Sequence, residues 1–484
     1  MIEAAAILWT ADEAAAATQG QAIVGGSSGK GADCWRALGV SIDSRTLRPG
    51  DLFVAIEGPN HDGHAFAADA FDKGAVAVVA AKKPEKVADN ASLLMVDDTT
   101  EALAGLGRAA RGRTAARVIA VTGSVGKTSV KEALAHVLGS QARTHAGVGN
   151  LNNHWGLPLS LARMPRDVDF GIFEMGMNHA GEILALSKMA RPQVAVVTAV
   201  EPAHSEFFAS VDAIADAKAE IFESVEPGGW AVIKRDMPYF HRLARAAAAC
   251  GVENVIGFGA HDDADVRLVG SNRTADGSHV TAIIDGDRID YLIPLPGSHW
   301  VMNSLGVLAA VHAAGGDVAA AAAALGGLRA VAGRGLRHRV AIPGGAITVI
   351  DDSYNASPAS MKAAFEVLAQ SIPGDGGRRI AVLGEMLELG VGSAAAHASL
   401  AEPLSDFSID LVFTTGPGMG HLAKAIPESR RGGHGADSQA IAPMVAAAVR
   451  PGDVVMVKGS AASRMGVVVA ALLELGQLGR RGEA

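Results

Sequence analysis

The chain has 484 residues, 49% apolar and 19% charged, which at roughly 100–200 residues per domain suggests about three domains, each able to bury a core. That composition excludes disorder as the dominant state, and 58 glycines without a Gly-X-Y period exclude a collagen-like fibre. A formal charge of −9 excludes a sequence-independent nucleic-acid binder, and two cysteines, Cys34 and Cys250, are too few for a disulfide framework or a cysteine metal site.

The opening segment MIEAAAILWTADEAAAATQG carries acids and no basic region, so no secretory signal is expected there. Residues 1–113 hold short strand-like runs at 52–56, 75–80 and 92–96. A helix-like HAFAADAFDKG lies between the first two runs, and TTEALAGLGRAARGR follows the third with Thr99 or Thr100 as its N-cap. GGSSGKG (25–31) and RRGGHG (430–435) read as loops. The stretch 305–330 is broken by His312, Gly315, Gly316 and Asp317, which makes it two buried helices rather than a membrane span. A cytoplasmic protein with no membrane insertion is expected.

A second block, 114–335, opens with strand, glycine turn and helix, and continues with strands at 169–176 and 193–200. A third, 336–484, has strands at 346–351, 379–384, 410–416 and 453–459. Apolar strands alternating with helices predict mostly parallel sheets covered on both faces. The fold class is α/β: a small N-terminal α/β domain, a central domain of phosphate-loop type and a C-terminal Rossmann-like domain.

The sharpest signal is G-S-V-G-K-T-S at 123–129, between the β run VIAVT (118–122) and an amphipathic helix. Gly123 and Gly126 let backbone N–H groups around Ser124 and Val125 curl about phosphate oxygens. The helix N-terminus behind them adds its dipole. Lys127 can reach the β and γ phosphates, and the Thr128 hydroxyl can bind Mg²⁺. Val121 stands where the usual loop has its first glycine. GGSSGKG is a weaker candidate, since no Ser or Thr follows Lys30.

Glu174 ends the apolar run FGIF, and a carboxylate at the carboxyl end of a parallel strand faces the ligand crevice; a cap for the next helix is the alternative. His204 follows the next strand in TAVEPAH. In SVDAIADAKAEIFESV, Lys218 completes the apolar stripe of Val211, Ile214, Ala215, Ile221, Phe222 and Val225. No acid lies three or four residues away, so Lys218 needs a partner, a chemical change, or a path for its head to water.

With these residues in place the chain resembles the Mur ligases, and within them the branch that adds D-alanyl-D-alanine. The resemblance runs through SIDSRTLRPGDLFVAIEG, DGHAF, TGSVGKTS, NLNNHWGLP, EMGMNHAGEI, AKAEIF, DDSYNASPASM, LGEMLELG and VMVKGSAASRM in that order. It implies an ATP-dependent ligase that joins D-Ala-D-Ala to a UDP-N-acetylmuramoyl-tripeptide. Ser41, Asp43, Ser44 and Arg45 would hold the UDP part. Gly123 to Ser129, including Lys127, would hold the phosphates of ATP. Thr128 and Glu174 would bind one Mg²⁺, and His204 with carbamylated Lys218 a second. Asn303, Arg334, Asp352 and Asn355 would contact the nucleotide. A monomer is expected. Another Mur-type amino-acid ligase is the alternative within the family, and a phosphate-loop switch the alternative outside it. Such a switch has no need of Glu174, an inward Lys218 and a third domain with its own acidic motif.

Overall fold

The computed structural model describes residues 7–24, 27–28, 34–202 and 206–482. Three large sheets follow one another along the chain, and a small antiparallel pairing joins Trp9–Thr10 to Arg36–Ala37. In the first, β1 (Gln21–Val24), β2 (Gly39–Ser41), β3 (Asp51–Val54), β4 (Ala77–Ala80) and β5 (Leu93–Met95) lie in the order β1-β5-β4-β3-β2. All neighbours are parallel except β1 and β5. Helices α1 (Ala11–Thr18), α2 (Ala67–Asp72) and α3 (Thr99–Gly112) flank this sheet. The cap of α3 is Asp98, whose carboxylate accepts from the Thr100 and Glu101 amides; Thr99 is already helical, a correction to the expected threonine cap. His64 of DGHAF is a clamp. Its Nδ1 lies 2.6 Å from Asp62 Oδ1, and its Nε2 accepts from the Ala81 amide at 2.9 Å.

The central sheet has nine strands. They are β6 (Arg117–Thr122), β7 (Thr144–Ala146), β8 (Phe170–Glu174), β9 (Val194–Val197), β10 (Trp230–Lys234), β11 (Asn254–Gly259), β12 (Val266–Thr274), β13 (Gly277–Ile284) and β14 (Asp287–Ile293). The order is β7-β8-β6-β9-β10-β11-β12-β13-β14. Every pair through β11 and β12 is parallel, and the last two pairs are antiparallel. The parallel part is covered on both faces by α4 (Lys127–Gly139), α5 (Gly156–Ala162), α6 (Glu182–Ala190), α7 (Val211–Ala219), α8 (Phe240–Ala249), α9 (Ser298–Ala313) and α10 (Val318–Leu325). This is why β6 is apolar almost throughout. The stretch 305–330 is indeed two helices, the later part of α9 and α10. The segment 210–225 does not form one helix: α7 ends at Ala219 and tightens into a 3₁₀ turn over Glu220–Ser224.

The third sheet contains β15 (Leu336–Ile342), β16 (Gly345–Asp352), β17 (Arg379–Gly384), β18 (Leu411–Thr415), β19 (Arg431–Gly435) and β20 (Val454–Lys458), in the order β15-β16-β20-β17-β18-β19. Only β15 is antiparallel to its neighbour. Strand β19 corrects the loop expected at 430–435. Its glycines are weak strand formers, yet the Phe413 ring lies against Gly432, where an added Cβ would sit 2.6 Å from it; only glycine lets the edge strand close on β18. Of GGSSGKG, residues 27–28 pair with β1, and the rest lies outside the described residues.

The first two sheets share a core. Leu159 and Ala162 of α5 belong to the cluster that also buries Trp9, Leu52, Leu94 and Leu106. Trp9 Nε1 donates to Ala162 O at 2.9 Å, Arg163 Nε to Val40 O at 2.6 Å, and the buried Arg111 to the carbonyls of Ala190 and Arg191. The third sheet is held differently. Glu366 on α11 (Pro358–Gln370) pairs with Arg273 and accepts from Ser298 at 2.6 Å. Among the described residues no helix is long and apolar enough to cross a membrane.

Leu159→Ala should lower stability by about 2–5 kcal/mol, because it opens a cavity in the shared core. Chemical denaturation followed by tryptophan fluorescence should show the first transition move to lower denaturant.

Candidate active site

The carboxyl ends of the central strands open into a cavity of about 580 Å³ that the third sheet roofs. One wall is the phosphate loop. Gly123 (φ +150) and Gly126 (φ +87) hold backbone conformations that favour glycine, and a Cβ at Gly123 would lie 2.0 Å from Thr198 Oγ1. Thr198 donates to Val125 O at 2.5 Å and thereby fastens the loop to the end of β9. The Ser124 hydroxyl donates to Glu201 O at 3.0 Å. The loop's shape is therefore set by protein contacts alone, and its amide groups are preorganised for an anion. Lys127 Nζ donates to Gly123 O at 2.7 Å; burial pushes its ammonium below the ordinary lysine value, opposed by Glu174 and aided by Arg334.

Behind the loop is a chain of charge-assisted hydrogen bonds. Thr128 Oγ1 donates to Glu174 Oε2 at 2.6 Å and accepts from Arg334 at 3.0 Å. Glu174 Oε1 accepts from Asn152 Nδ2 at 2.7 Å. Glu174 is 3% exposed, so its carboxylate depends on these partners. The Arg334 guanidinium stacks on the Tyr354 ring, 4.1 Å from its centroid, and so links the hinge segment before β15 to both bodies. Asn303 sits on α9 against Gly126.

Lys218 is 2% exposed, lines the cavity and has no hydrogen-bond or ion-pair partner among the described residues. Burial first, and the neighbouring Lys127 second, push its ammonium well below the ordinary value. His204 lies outside the described residues.

From the third sheet, Asp352 Oδ2 accepts from Lys458 at 2.7 Å, and Lys458 also donates to Asn355 O at 2.9 Å. Asp351 plays a different part. Its oxygens take the Gly333 amide and the Ser353 amide and hydroxyl, so it closes the turn while Asp352 faces the cavity. Ser357 and Pro358 start α11 as cap and first residue.

The cavity thus brings together Gly123 to Ser129, Glu174, Lys218, Asn303, Arg334, Asp352 and Asn355. It does not include the turn after β2. There Ser41 is buried and its hydroxyl donates to Asp43 O at 3.1 Å, and Ser44 is buried with its carbonyl accepting from Lys73. Arg45 is 86% exposed and clasped by Asp43 at 2.7 Å. Asn152 and Lys458 are among the cavity residues that the sequence alone does not single out. Lys458 had the same mark as Glu174, a charge closing an apolar strand; Asn152 had none beyond its place in NLNNHWGLP.

The donor set also bears on a metal. Thr128 and Glu174 offer hydroxyl and carboxylate oxygens side by side in the cavity, which are ligands of the kind Mg²⁺ takes. Lys218 as an ammonium would repel a cation; as a carbamate it would supply oxygens.

Fold and site together define a nucleotide-dependent enzyme whose phosphate loop is covered by a separate α/β body. Three family descriptions match in order: Mur ligase family, catalytic domain, at 37–111; Mur ligase middle domain at 121–311; and Mur ligase, glutamate ligase domain, at 337–461. The chain belongs to the Mur ligase family. Among its relatives, the UDP-N-acetylmuramoyl-tripeptide–D-alanyl-D-alanine ligase of Bacillus subtilis is 35% identical over 90% of this chain and 93% of its own. The enzyme of the same name from Escherichia coli is 35% identical over 90% and 94%. Among solved structures, MurF from Acinetobacter baumannii superposes with a TM-score of 0.82 at 28% identity, covering 96% of this chain and 99% of that one. MurF ligase from Thermotoga maritima in complex with ADP gives 0.74 at 28% identity over 91% and 98%.

Gly123→Ala should raise KM for ATP by about tenfold or more, a loss of ~1.4 kcal/mol, because the new Cβ meets Thr198. Steady-state kinetics with ATP as the varied substrate check this, alongside a thermal midpoint that moves by only a few degrees.

Proposed function

We infer that the chain is an ATP-dependent ligase that joins D-alanyl-D-alanine to UDP-N-acetylmuramoyl-tripeptide, giving the UDP-muramoyl-pentapeptide precursor of peptidoglycan. The observation that carries this reading is the roofed phosphate-loop cavity, with Thr128, Glu174 and Arg334 on one body and Tyr354, Asp352 and Lys458 on the other. The relatives' names supply the two substrates. The enzyme acts in the cytoplasm as a monomer.

The tripeptide carboxylate attacks the γ-phosphorus of ATP; the bond to the β–γ bridging oxygen breaks, and an acyl phosphate and ADP result. The free amine of D-Ala-D-Ala then attacks the acyl carbon, and phosphate leaves as the amide forms. In the first step the protein has little covalent work, so positioning and charge compensation dominate. The loop amides and Lys127 hold the β and γ phosphates. Arg334, Asn303, Asp352 and Asn355 hold the nucleotide from the hinge, α9 and the third body. Thr128 and Glu174 would hold one Mg²⁺, and His204 with carbamylated Lys218 a second; bound Mg²⁺ neutralises phosphoryl charge. Closure of the third body excludes water from the acyl phosphate. Ser41, Asp43, Ser44 and Arg45 hold the UDP part.

Carbamylation requires a neutral amine. Burial favours one, because it disfavours the charged form. The ammonium first gives up a proton; CO₂ then adds to the nitrogen lone pair of the neutral amine and a second proton leaves, so that the two losses together take the side chain from +1 to −1.

Phosphate release from ATP should require both substrates together. Release with ATP alone, or with ATP and D-Ala-D-Ala only, would point to a nucleotide switch.

Lys218→Ala should lower kcat by at least about a hundredfold, in line with loss of a preorganised charge at the reacting phosphoryl. Added acetate should restore part of the activity. Lys218→Arg should stay inactive, since arginine keeps the positive charge and forms no carbamate. An active Lys218→Arg enzyme would return Lys218 to a packing role.

A further inference from the structure

Lys131 is one of the largest fully buried side chains, 1% exposed, and no step of the reaction uses it. It lies on α4, one turn beyond Thr128. Its ammonium is engaged within the protein. It donates to Gly147 O at 2.6 Å and Gly149 O at 2.8 Å, and pairs with Glu132 Oε1 at 2.7 Å. It is not among the residues that line the cavity. An apolar side chain would fill the same space at a lower desolvation cost. What Lys131 contributes therefore lies in the segment it grips.

That segment leads into the cavity. Gly149 has φ +63, a conformation that the two gripped carbonyls help to hold. Asn150 and Asn152, just beyond, line the cavity. The Asn152 carbonyl accepts from the Gly176 amide at 2.8 Å, and its Nδ2 donates to Glu174 Oε1 at 2.7 Å. The other Glu174 oxygen takes the Thr128 hydroxyl, which returns the path to α4. The bonds form a closed circuit: α4 through Lys131 to the 147–152 segment, through Asn152 to Glu174, and through Thr128 back to α4.

We propose that Lys131 is a positioning residue that sets the orientation of the Glu174 carboxylate for a divalent cation, acting through the 147–152 segment and Asn152. The inference rests on the reading of Thr128 and Glu174 as cation ligands. Partners that orient a ligating carboxylate are worth about 10–100-fold in metal affinity.

The test is a Mg²⁺ titration by calorimetry of the full-length protein saturated with a non-hydrolysable ATP analogue, on wild type, Lys131→Met, Asn152→Ala, the double variant and Glu174→Gln. Lys131→Met should weaken Mg²⁺ binding about tenfold or more, while affinity for ADP measured without Mg²⁺ stays within twofold. Asn152→Ala should weaken Mg²⁺ binding similarly, and the double variant should be no worse than the poorer single one, because both cut the same circuit. Wild-type Mg²⁺ affinity in Lys131→Met, or fully additive losses in the double variant, would overturn the proposal. Should Lys131→Met fail to fold, Lys131→Leu, which likewise removes every N–H donor, takes its place in the same cycle with the same two outcomes. Glu174→Gln separates the two levels. If it leaves Mg²⁺ binding unchanged, the ligand assignment itself is wrong; if it weakens binding and the Lys131 variant does not, only the positioning role falls.

Discussion

The bond from the Thr128 hydroxyl to Glu174 joins the first turn of α4 to the carboxyl end of β8, 46 residues apart in sequence. Much of the cavity depends on it. A carboxylate at 3% exposure survives only with its oxygens committed, and here one is given to α4 and the other to Asn152. The same threonine accepts from Arg334, which in turn rests on Tyr354 of the third body. A single hydroxyl thus meets the phosphate-loop helix, the acidic strand end and the hinge.

Charge in the cavity is balanced locally. Lys127 turns back onto Gly123, Lys458 is matched by Asp352, and Arg334 spreads its charge over an aromatic face. Lys218 is the exception, buried and without a partner among the described residues. A carbamate would reverse its sign, and the neighbouring Lys127 would then stabilise it rather than oppose it.

Much of this arrangement was legible in the chain itself. Buried parallel strands advertise themselves as unbroken apolar runs, so a charge at the end of one, as at Glu174, stands out. The glycines at 123 and 126 mark backbone shapes that few other residues take. The antiparallel strands β12 to β14 were not legible, because β12 reads VRLVGSNRT and is exposed along much of its length; a strand open to water keeps no apolar period. Strand β19 was hidden by its glycines, whose reason is the Phe413 ring in another strand. Lys131 acts on backbone carbonyls 16 and 18 residues away and Asn152 on a carboxylate 22 residues away, contacts that depend on tertiary closure and leave no local pattern.

The core shared between the first two sheets has a further meaning. Leu159, Ala162, Trp9 and Arg111 weld those bodies together, which fixes the separation between the turn at 41–45 and the phosphate loop. If the UDP end is anchored at that turn, as the proposed function has it, the peptide carboxylate would meet the γ-phosphate only when the chain between is of one length. The weld would then act as a gauge: peptides too short would fall shy of the phosphate, and peptides too long would carry their carboxylate past it, before any side chain had read their chemistry.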